Sequence, residues 1–193
     1  MTAPKVVLAP TPARTGVWVG IAAITMSFAA YTSAMLVRQG DAPDWTTIHL
    51  PAILYFNTLV LLVSSGTYIT GQRRLEAGWK AGAAAPAGAG WLRLTLGLGL
   101  LFVAGQAVAW SQLAAQGVFL STDPASSFFY VLTGLHALHL LGGVGGMVYL
   151  LGKLRRSAAT GTAPAGSVDA VGLYWHFMGV LWIYLLGLMA LRL

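Results

Sequence analysis

Apolar residues along this chain cluster into five long stretches that are separated by short polar segments. The stretches cover approximately residues 14–37, 48–70, 91–113, 127–151 and 170–191. Each exceeds the roughly 20 apolar residues that an α-helix needs to cross a hydrocarbon core of about 30 Å. The pattern therefore predicts an all-α integral membrane bundle of five transmembrane helices, a single membrane domain over residues 14–193 that follows an N-terminal segment of residues 1–13.

The ends of the stretches carry weaker signals. The first one resembles a secretory signal, but its apolar run is longer than the roughly 7–15 residues of a signal core, so we expect a retained helix. Residues 71–90 are basic at first and then rich in Ala, Gly and Pro, which predicts a mobile loop. We expect Ser121, Thr122 or Asp123 to cap the fourth helix, and Asp169 to cap the fifth.

The basic residues are distributed unevenly between the two sides of the predicted membrane. With a cytoplasmic N terminus, only Arg38 and Arg192 of the 11 basic residues lie on the outer side. The cytoplasmic side then holds the others: Lys5, Arg14, Arg73, Arg74, Lys80, Arg93, Lys153, Arg155 and Arg156. Cytoplasmic loops carry an excess of Lys and Arg, so we predict a cytoplasmic N terminus, residues 1–13 included, and a periplasmic C terminus.

The composition is typical of a membrane protein and excludes several other classes of protein and of site. The chain is 57% hydrophobic and 8% charged, and its mean hydropathy is +0.73. Its net charge of +6 is explained by topology, so nucleic acid is not expected as a partner. The absence of cysteine excludes disulfides, thiolate metal sites and iron–sulfur clusters.

The predicted membrane interior contains no carboxylate. All five acidic residues lie in loops or at helix ends: Asp41, Asp44, Glu76, Asp123 and Asp169. Transporters of protons and cations commonly bind the ion with a buried Asp or Glu, so this pattern argues against such a transporter. Transport of a neutral solute remains open.

Three histidines lie in the predicted spans away from the span ends. His136 and His139 are three residues apart on one face of the fourth helix, and His176 lies in the fifth. Imidazoles ligate haem and copper, but they also form hydrogen-bonded structural clusters, and the spacing leaves both interpretations open. A cluster of glycines begins one turn later, and we expect it to allow close packing against another helix: Gly142, Gly143, Gly145 and Gly146.

Four segments together resemble subunit III of the haem-copper oxidases, the family of cytochrome c oxidase. They occur in the family's order on successive spans: Asn57–Ser65 with Thr67, Phe102–Trp110 with Gln106, Phe128–Gly143 with His136 and His139, and Tyr174–Phe177 followed by Trp182. The resemblance covers nearly the whole chain from Gly16 onward, and the chain looks like the short, five-helix form of the family.

The resemblance implies a non-catalytic subunit of a bacterial respiratory oxidase in the cytoplasmic (inner) membrane. Such a subunit packs beside oxidase subunit I and has subunits I and II as partners. The partners hold the haem and copper, and the subunit has no cofactor or active site of its own. It stabilises the catalytic subunit and supports proton uptake during oxygen reduction. The electron donor and membership of a larger respiratory supercomplex stay open.

The resemblance also implies bound phospholipid. We expect a lipid groove lined by aromatic and imidazole side chains, with its headgroup held by arginines at the cytoplasmic edge. The candidate residues are Arg73, Arg74, Arg93, His136, His139, Trp175, His176 and Trp182.

The chain departs from the family pattern at three positions. The family carries carboxylates at the positions that match Ile24, Ala109 and Gly179 of this chain. The loss of all three argues against a proton antenna built from buried carboxylates.

Three alternatives remain. The chain could be an accessory subunit of a quinol oxidase or a nitric oxide reductase. It could instead be an independent haem-binding membrane protein that uses His136, His139 and His176. The third alternative is a small transporter of a neutral solute.

Overall fold

The computed structural model describes residues 12–41, 43–82, 88–160 and 163–193. Within these ranges the chain forms five α-helices: α1 (Pro12–Asp41), α2 (Ile53–Lys80), α3 (Ala89–Ala115), α4 (Pro124–Thr160) and α5 (Ala165–Arg192). All five are long and apolar enough to cross a membrane. The predicted all-α membrane bundle is therefore confirmed. Of the predicted N-terminal segment, residues 1–11 lie outside the described residues.

Helix α2 differs most from its predicted span. It begins at Ile53 and continues to Lys80, so the prediction of a loop over residues 71–90 was wrong for residues 71–80. Residues 83–87 of that loop lie outside the described residues. A helix satisfies its backbone hydrogen bonds internally, so it can continue where the apolar residues stop. Here Gln72 Nε2 donates to Glu76 Oε1 one turn further along, at 3.0 Å.

The start of α4 was predicted correctly, whereas the start of α5 was not. Asp123 caps α4, since its carboxylate accepts hydrogen bonds of 2.8 Å from the backbone N–H and the hydroxyl of Ser126. Helix α5 begins at Ala165, so Asp169 lies inside it and caps nothing. The Asp169 carboxylate instead accepts from Gln72 Nε2 at 2.9 Å, which links α5 to α2.

Four of the helices form a closed ring. Helix α2 packs against α3 and α5, and α4 packs against the same two helices from the other side. Helix α1 lies outside this ring against α4 and α5. The segment between α1 and α2 is bound to the end of the chain, because Ile48 N–H donates to Leu193 O at 2.6 Å and Trp45 Nε1 to Arg192 O at 3.2 Å.

Aromatic side chains fill the interior of the ring. Trp175, Trp182, Tyr68 and Phe102 are all fully buried. Phe102 and Trp182 pack edge to face with their ring centroids 4.9 Å apart. Large side chains of this kind bury much apolar area, but they need room that the facing helix must provide.

Glycines on the facing helices provide that room. A Cβ atom on Gly99 would lie 2.5 Å from the ring of Trp175, and one on Gly172 would lie 2.6 Å from the ring of Tyr68. The close packing expected at the glycine cluster of α4 is found at Gly143, where a Cβ would lie 3.2 Å from the ring of Tyr174 on α5. It is not found at Gly142 and Gly146. Added Cβ atoms there would make only ordinary contacts of 3.6 and 3.8 Å, because both glycines line an open groove between α1, α4 and α5.

Candidate functional site: a buried polar layer, an open niche and a basic edge

Three amide and imidazole side chains lie inside the ring, and we call Asn57, Gln106 and His136 the polar layer. All three are fully buried or nearly so. Trp110 Nε1 donates to Thr133 Oγ1 at 3.1 Å across α3 and α4. Gln106 lies about one turn before Trp110, and His136 lies about one turn after Thr133. Because the two helices are antiparallel, Gln106 and His136 therefore lie at the same depth.

Most of the polar atoms in this layer have no partner within the described part of the chain. Asn57 Nδ2 makes one long hydrogen bond of 3.5 Å to Phe102 O. The amide oxygen of Asn57, both amide atoms of Gln106 and both ring nitrogens of His136 make none. Unpaired buried polar groups are costly, so this layer destabilises the ring unless other groups satisfy it.

The two interior tryptophans donate hydrogen bonds across the ring. Trp175 Nε1 donates to Ser64 Oγ at 3.1 Å, and Trp182 Nε1 donates to Thr58 Oγ1 at 2.9 Å. His136 packs against Trp182 with ring centroids 5.2 Å apart. Because His136, Trp175 and Trp182 face protein, these three members of the predicted lipid groove do not line an outward groove with the others.

The three histidines of the spans face different neighbours. The ring of His139 lies beside Phe28 of α1 at 5.8 Å, and its Nδ1 is 2.7 Å from Leu135 O. The ring of His176 lies edge-on to Tyr68 of α2 at 5.6 Å. No ring contact joins His139 to His176 among the described residues. Among those residues, no group of three His, Cys, Asp or Glu side chains could hold a metal ion.

An open niche lies between α2 and α5, and it is the surface on which His176 is placed. It is a cavity of about 210 Å³ lined by Thr58, Leu61, Leu62, Ser65, His176, Gly179, Val180 and Ile183. Its polar groups belong to Ser65 and His176, which are both partly buried, and to Thr58, whose hydroxyl already accepts from Trp182 Nε1 and donates to Leu54 O. This niche combines hydrogen-bonding groups with an apolar rim.

The three positions at which the resemblance implied carboxylates have different environments. Ile24 and Ala109 are buried among apolar side chains of the core. Gly179 lies in the niche, where an added Cβ would be 3.6 Å from Ser65 Oγ. A longer side chain at Gly179 would therefore project into the niche.

A basic edge, formed by Arg73, Arg74 and Arg93, lies where α2 ends and α3 begins. All three side chains are exposed. The guanidinium of Arg74 stacks over the ring of Trp91, with its carbon 5.1 Å from the centroid. These residues are the only predicted lipid ligands that share one exposed edge in the described structure.

One buried contact was missed in the sequence. The Tyr68 hydroxyl donates a 2.6 Å hydrogen bond to Val168 O and so joins α2 to α5. A tyrosine that follows three hydroxyl side chains, Ser64, Ser65 and Thr67, was the available signal. A hydroxyl at membrane depth requires a partner, and a neighbouring helix is the nearest source.

Comparison with known proteins places the chain among oxidase subunits. The sequence model of the family described as cytochrome c oxidase subunit III matches residues 21–190. A Mycobacterium leprae protein named "probable cytochrome c oxidase subunit 3" is 34% identical over 158 residues, which are 82% of this chain and 75% of that protein. A Nocardia farcinica protein of the same name is 34% identical over 157 residues, 81% and 74% of the two chains. The cytochrome c oxidase subunit 3 of a Synechocystis strain is 31% identical over 177 residues, 88% and 71%.

Proposed function

The chain belongs to the cytochrome c oxidase subunit III family, and from that premise we propose that it stabilises the haem-bearing catalytic subunit of a bacterial respiratory oxidase. The observation that carries the proposal is the family match over residues 21–190, which includes most of every helix. Subunits I and II of the oxidase are the expected partners, and cytochrome c is the expected electron donor of the complex.

The exposed surface of the bundle supports a role in assembly. Large apolar side chains are exposed on all five helices, as Trp18, Phe56, Leu100, Leu138 and Val180 illustrate. Lipid can cover such side chains, and so can the helices of a larger membrane subunit. The chain therefore offers a broad contact area for a partner. The imidazoles inside its spans face different helices and do not form one shared ligand site.

Support of proton uptake would have to be indirect in this chain. Each acidic side chain that the structure describes lies towards one end or the other of the bundle: Asp44, Glu76, Asp123 and Asp169. Ile24, Ala109 and Gly179 cannot exchange protons. We expect the subunit to act by holding the catalytic subunit in its working conformation, with no proton relay of its own.

Affinity purification tests the proposed function. An affinity-tagged form of the chain is purified in mild detergent, and its companions are identified by mass spectrometry. We expect a large membrane subunit that contains haem, together with a copper-binding partner, at constant stoichiometry. Recovery of the chain alone, under conditions that keep other respiratory complexes intact, would contradict the proposal.

An anionic phospholipid at the basic edge is the lipid partner that fits the chain. Arg73, Arg74 and Arg93 place three guanidinium groups at one end of the bundle, and such clusters attract lipid phosphates. Substitution of Arg73 and Arg93 by Gln should reduce the phosphatidylglycerol that co-purifies with the chain, as measured by native mass spectrometry. Substitution of Arg38 and Arg192 by Gln, at the opposite end, is the control with the same charge change. Equal lipid loss in both variants would contradict a site at this edge.

A further inference from the structure

We propose that the niche between α2 and α5 receives a hydrogen-bonding side chain from a transmembrane helix of the oxidase catalytic subunit. This inference rests on the proposed function and adds to it the face by which the subunit docks. It is carried by two partnerless polar groups, by their depth in the membrane and by the shape of the surface around them.

The two polar groups are the Ser65 hydroxyl and the His176 imidazole. The hydroxyls of the neighbouring Ser64 and Thr67 donate to backbone carbonyls of their own helix at 2.8 Å. In the described part of the chain, neither the Ser65 hydroxyl nor the His176 ring makes a hydrogen bond, and the His176 ring packs edge-on to Tyr68. Both groups therefore keep hydrogen-bonding capacity that is directed into an open cavity.

The depth of the niche restricts what can satisfy these groups. Ser65 and His176 lie about 8 to 9 Å inside the cytoplasmic ends of their predicted spans, at residues 70 and 170, and therefore within the hydrocarbon core. Water and lipid headgroups do not reach that depth, and acyl chains have no hydrogen-bonding groups. Polar side chains on the outer surface of a span are costly when they face lipid, so a neighbouring protein helix is the partner that fits.

The surroundings of the niche suit a helix better than a single lipid chain. Its rim carries the exposed apolar side chains of Leu62, Val180 and Ile183. Gly179 has no side chain and so leaves this part of the niche open. A Cβ atom added there would meet nothing closer than Ser65 Oγ at 3.6 Å. A polar side chain from an apposed helix could therefore enter the niche while apolar residues of that helix cover the rim.

Crosslinking tests the proposal directly, because the chain contains no native cysteine. Single-cysteine variants Val180→Cys and Val148→Cys carry a photoactivatable maleimide in the intact complex. Val180 borders the niche and is 66% exposed, whereas Val148 on α4 is 55% exposed and serves as the control. We expect the Val180 variant to form an adduct with the haem-bearing subunit, and the Val148 variant to form none.

A second variant fills the niche without crowding the chain itself. Gly179→Leu places a side chain in the cavity, while Gly145→Leu adds the same group on α4, where a Cβ meets nothing within 4 Å. We expect Gly179→Leu to lower the amount of this chain retained by the complex at least about threefold, and Gly145→Leu to leave it unchanged. Thermal unfolding of each purified chain checks that both variants fold.

The outcomes separate this inference from the proposed function. Failure of the wild-type chain to co-purify with an oxidase would overturn both. Co-purification with a Val180 adduct only to a second copy of this chain, or with no adduct, would overturn the docking face and leave the oxidase assignment standing. Full retention of a folded Gly179→Leu variant would also overturn the docking face.

Discussion

Asn57 occupies a space that the facing helix leaves open. A Cβ atom on Gly105 of α3 would overlap the amide oxygen of Asn57, and Asn57 Nδ2 donates to Phe102 O on the same helix at 3.5 Å. The absence of a side chain at Gly105 thus lets an amide reach the backbone of α3 at membrane depth. Interhelical hydrogen bonds of this kind contribute about 0.6 to 2 kcal/mol each.

Gly105→Ala should destabilise the chain because its methyl group would displace Asn57. We expect the free energy of unfolding to fall by about 1 to 3 kcal/mol, the usual cost of overpacking. Gly97→Ala on the same helix is the control, since a Cβ there meets nothing within 4 Å. The control should be neutral or slightly stabilising. Thermal unfolding in detergent, followed by tryptophan fluorescence, measures both, and equal melting temperatures would contradict the account.

Substitutions of His136 test whether the groups of the polar layer have hydrogen-bond partners. Its two ring nitrogens have no partner within the described chain, so His136→Phe should leave stability unchanged within about 1 kcal/mol. His136→Ala should cost about 2 to 4 kcal/mol, because it leaves a cavity beside Phe102 and Trp182. A loss in His136→Phe as large as that in His136→Ala would show that the imidazole has a polar partner, with Gln106 the nearest candidate by depth.

The stability of the α4 N-terminus depends on pH through its capping residue, Asp123. Burial would raise the pKa of Asp123, but hydrogen bonds from the Ser126 backbone and hydroxyl, the Thr46 side chain and the Ala125 backbone outweigh it and hold the pKa below its ordinary value. A lowered pKa in the folded state means that the stabilisation is complete above the unfolded pKa of about 3.9. It is lost as the pH falls through the folded pKa.

Asp123→Ala should therefore weaken the start of α4 in a pH-dependent way. At pH 7 the variant should lose about 0.5 to 2 kcal/mol, the usual contribution of such a cap. The difference from the wild type should shrink as the pH is lowered below about 4. Asp123→Asn is the control, because it keeps an acceptor but cannot titrate. Melting temperatures between pH 7 and pH 3 measure the effect, and a constant difference at every pH would contradict it.

Much of the helical architecture could be predicted from the apolar pattern, but helix length could not. Hydropathy reports where a chain meets lipid, whereas a helix can project beyond the lipid. Residues 71–80 look like a basic loop for this reason. In the structure, Gln72 in the extended end of α2 bonds to Glu76 of the same helix and to Asp169 of α5. Both partners are polar, and Asp169 is also distant in the sequence, so the spacing of apolar residues does not indicate these hydrogen bonds.

The candidate sites were less predictable because they depend on how each helix is rotated about its axis. The spacing of His136 and His139 places them on one face, but it does not say which neighbour each ring meets. A rotation of 60° between them is enough to bring His136 to Trp182 and His139 to Phe28. A close-packed glycine of α3 escaped prediction for the same reason. Nothing in the sequence distinguishes Gly99, where a Cβ would overlap the ring of Trp175, from Gly97 two residues earlier, where a Cβ would meet nothing within 4 Å.

The two ends of the bundle differ strongly in charge. Among the described residues, the end at which α2 and α4 terminate carries eight basic side chains: Arg14, Arg73, Arg74, Lys80, Arg93, Lys153, Arg155 and Arg156. Lys5 lies outside the described residues. The opposite end carries Arg38, which is paired with Asp44 at 2.9 Å, and Arg192. Such an asymmetry predicts that the first end is cytoplasmic.

Single cysteines at the two ends can test this orientation because the chain has none of its own. Lys80→Cys lies at the basic end and Ser121→Cys at the other, and both side chains are exposed. A membrane-impermeant maleimide added to spheroplasts should label Ser121→Cys, whereas Lys80→Cys should react only after the membrane is opened. The lysed sample is the control for the reactivity of each thiol. The reverse labelling pattern would mean that the basic end faces the periplasm, contrary to the positive-inside rule. The basic edge would then meet the lipids of the outer leaflet.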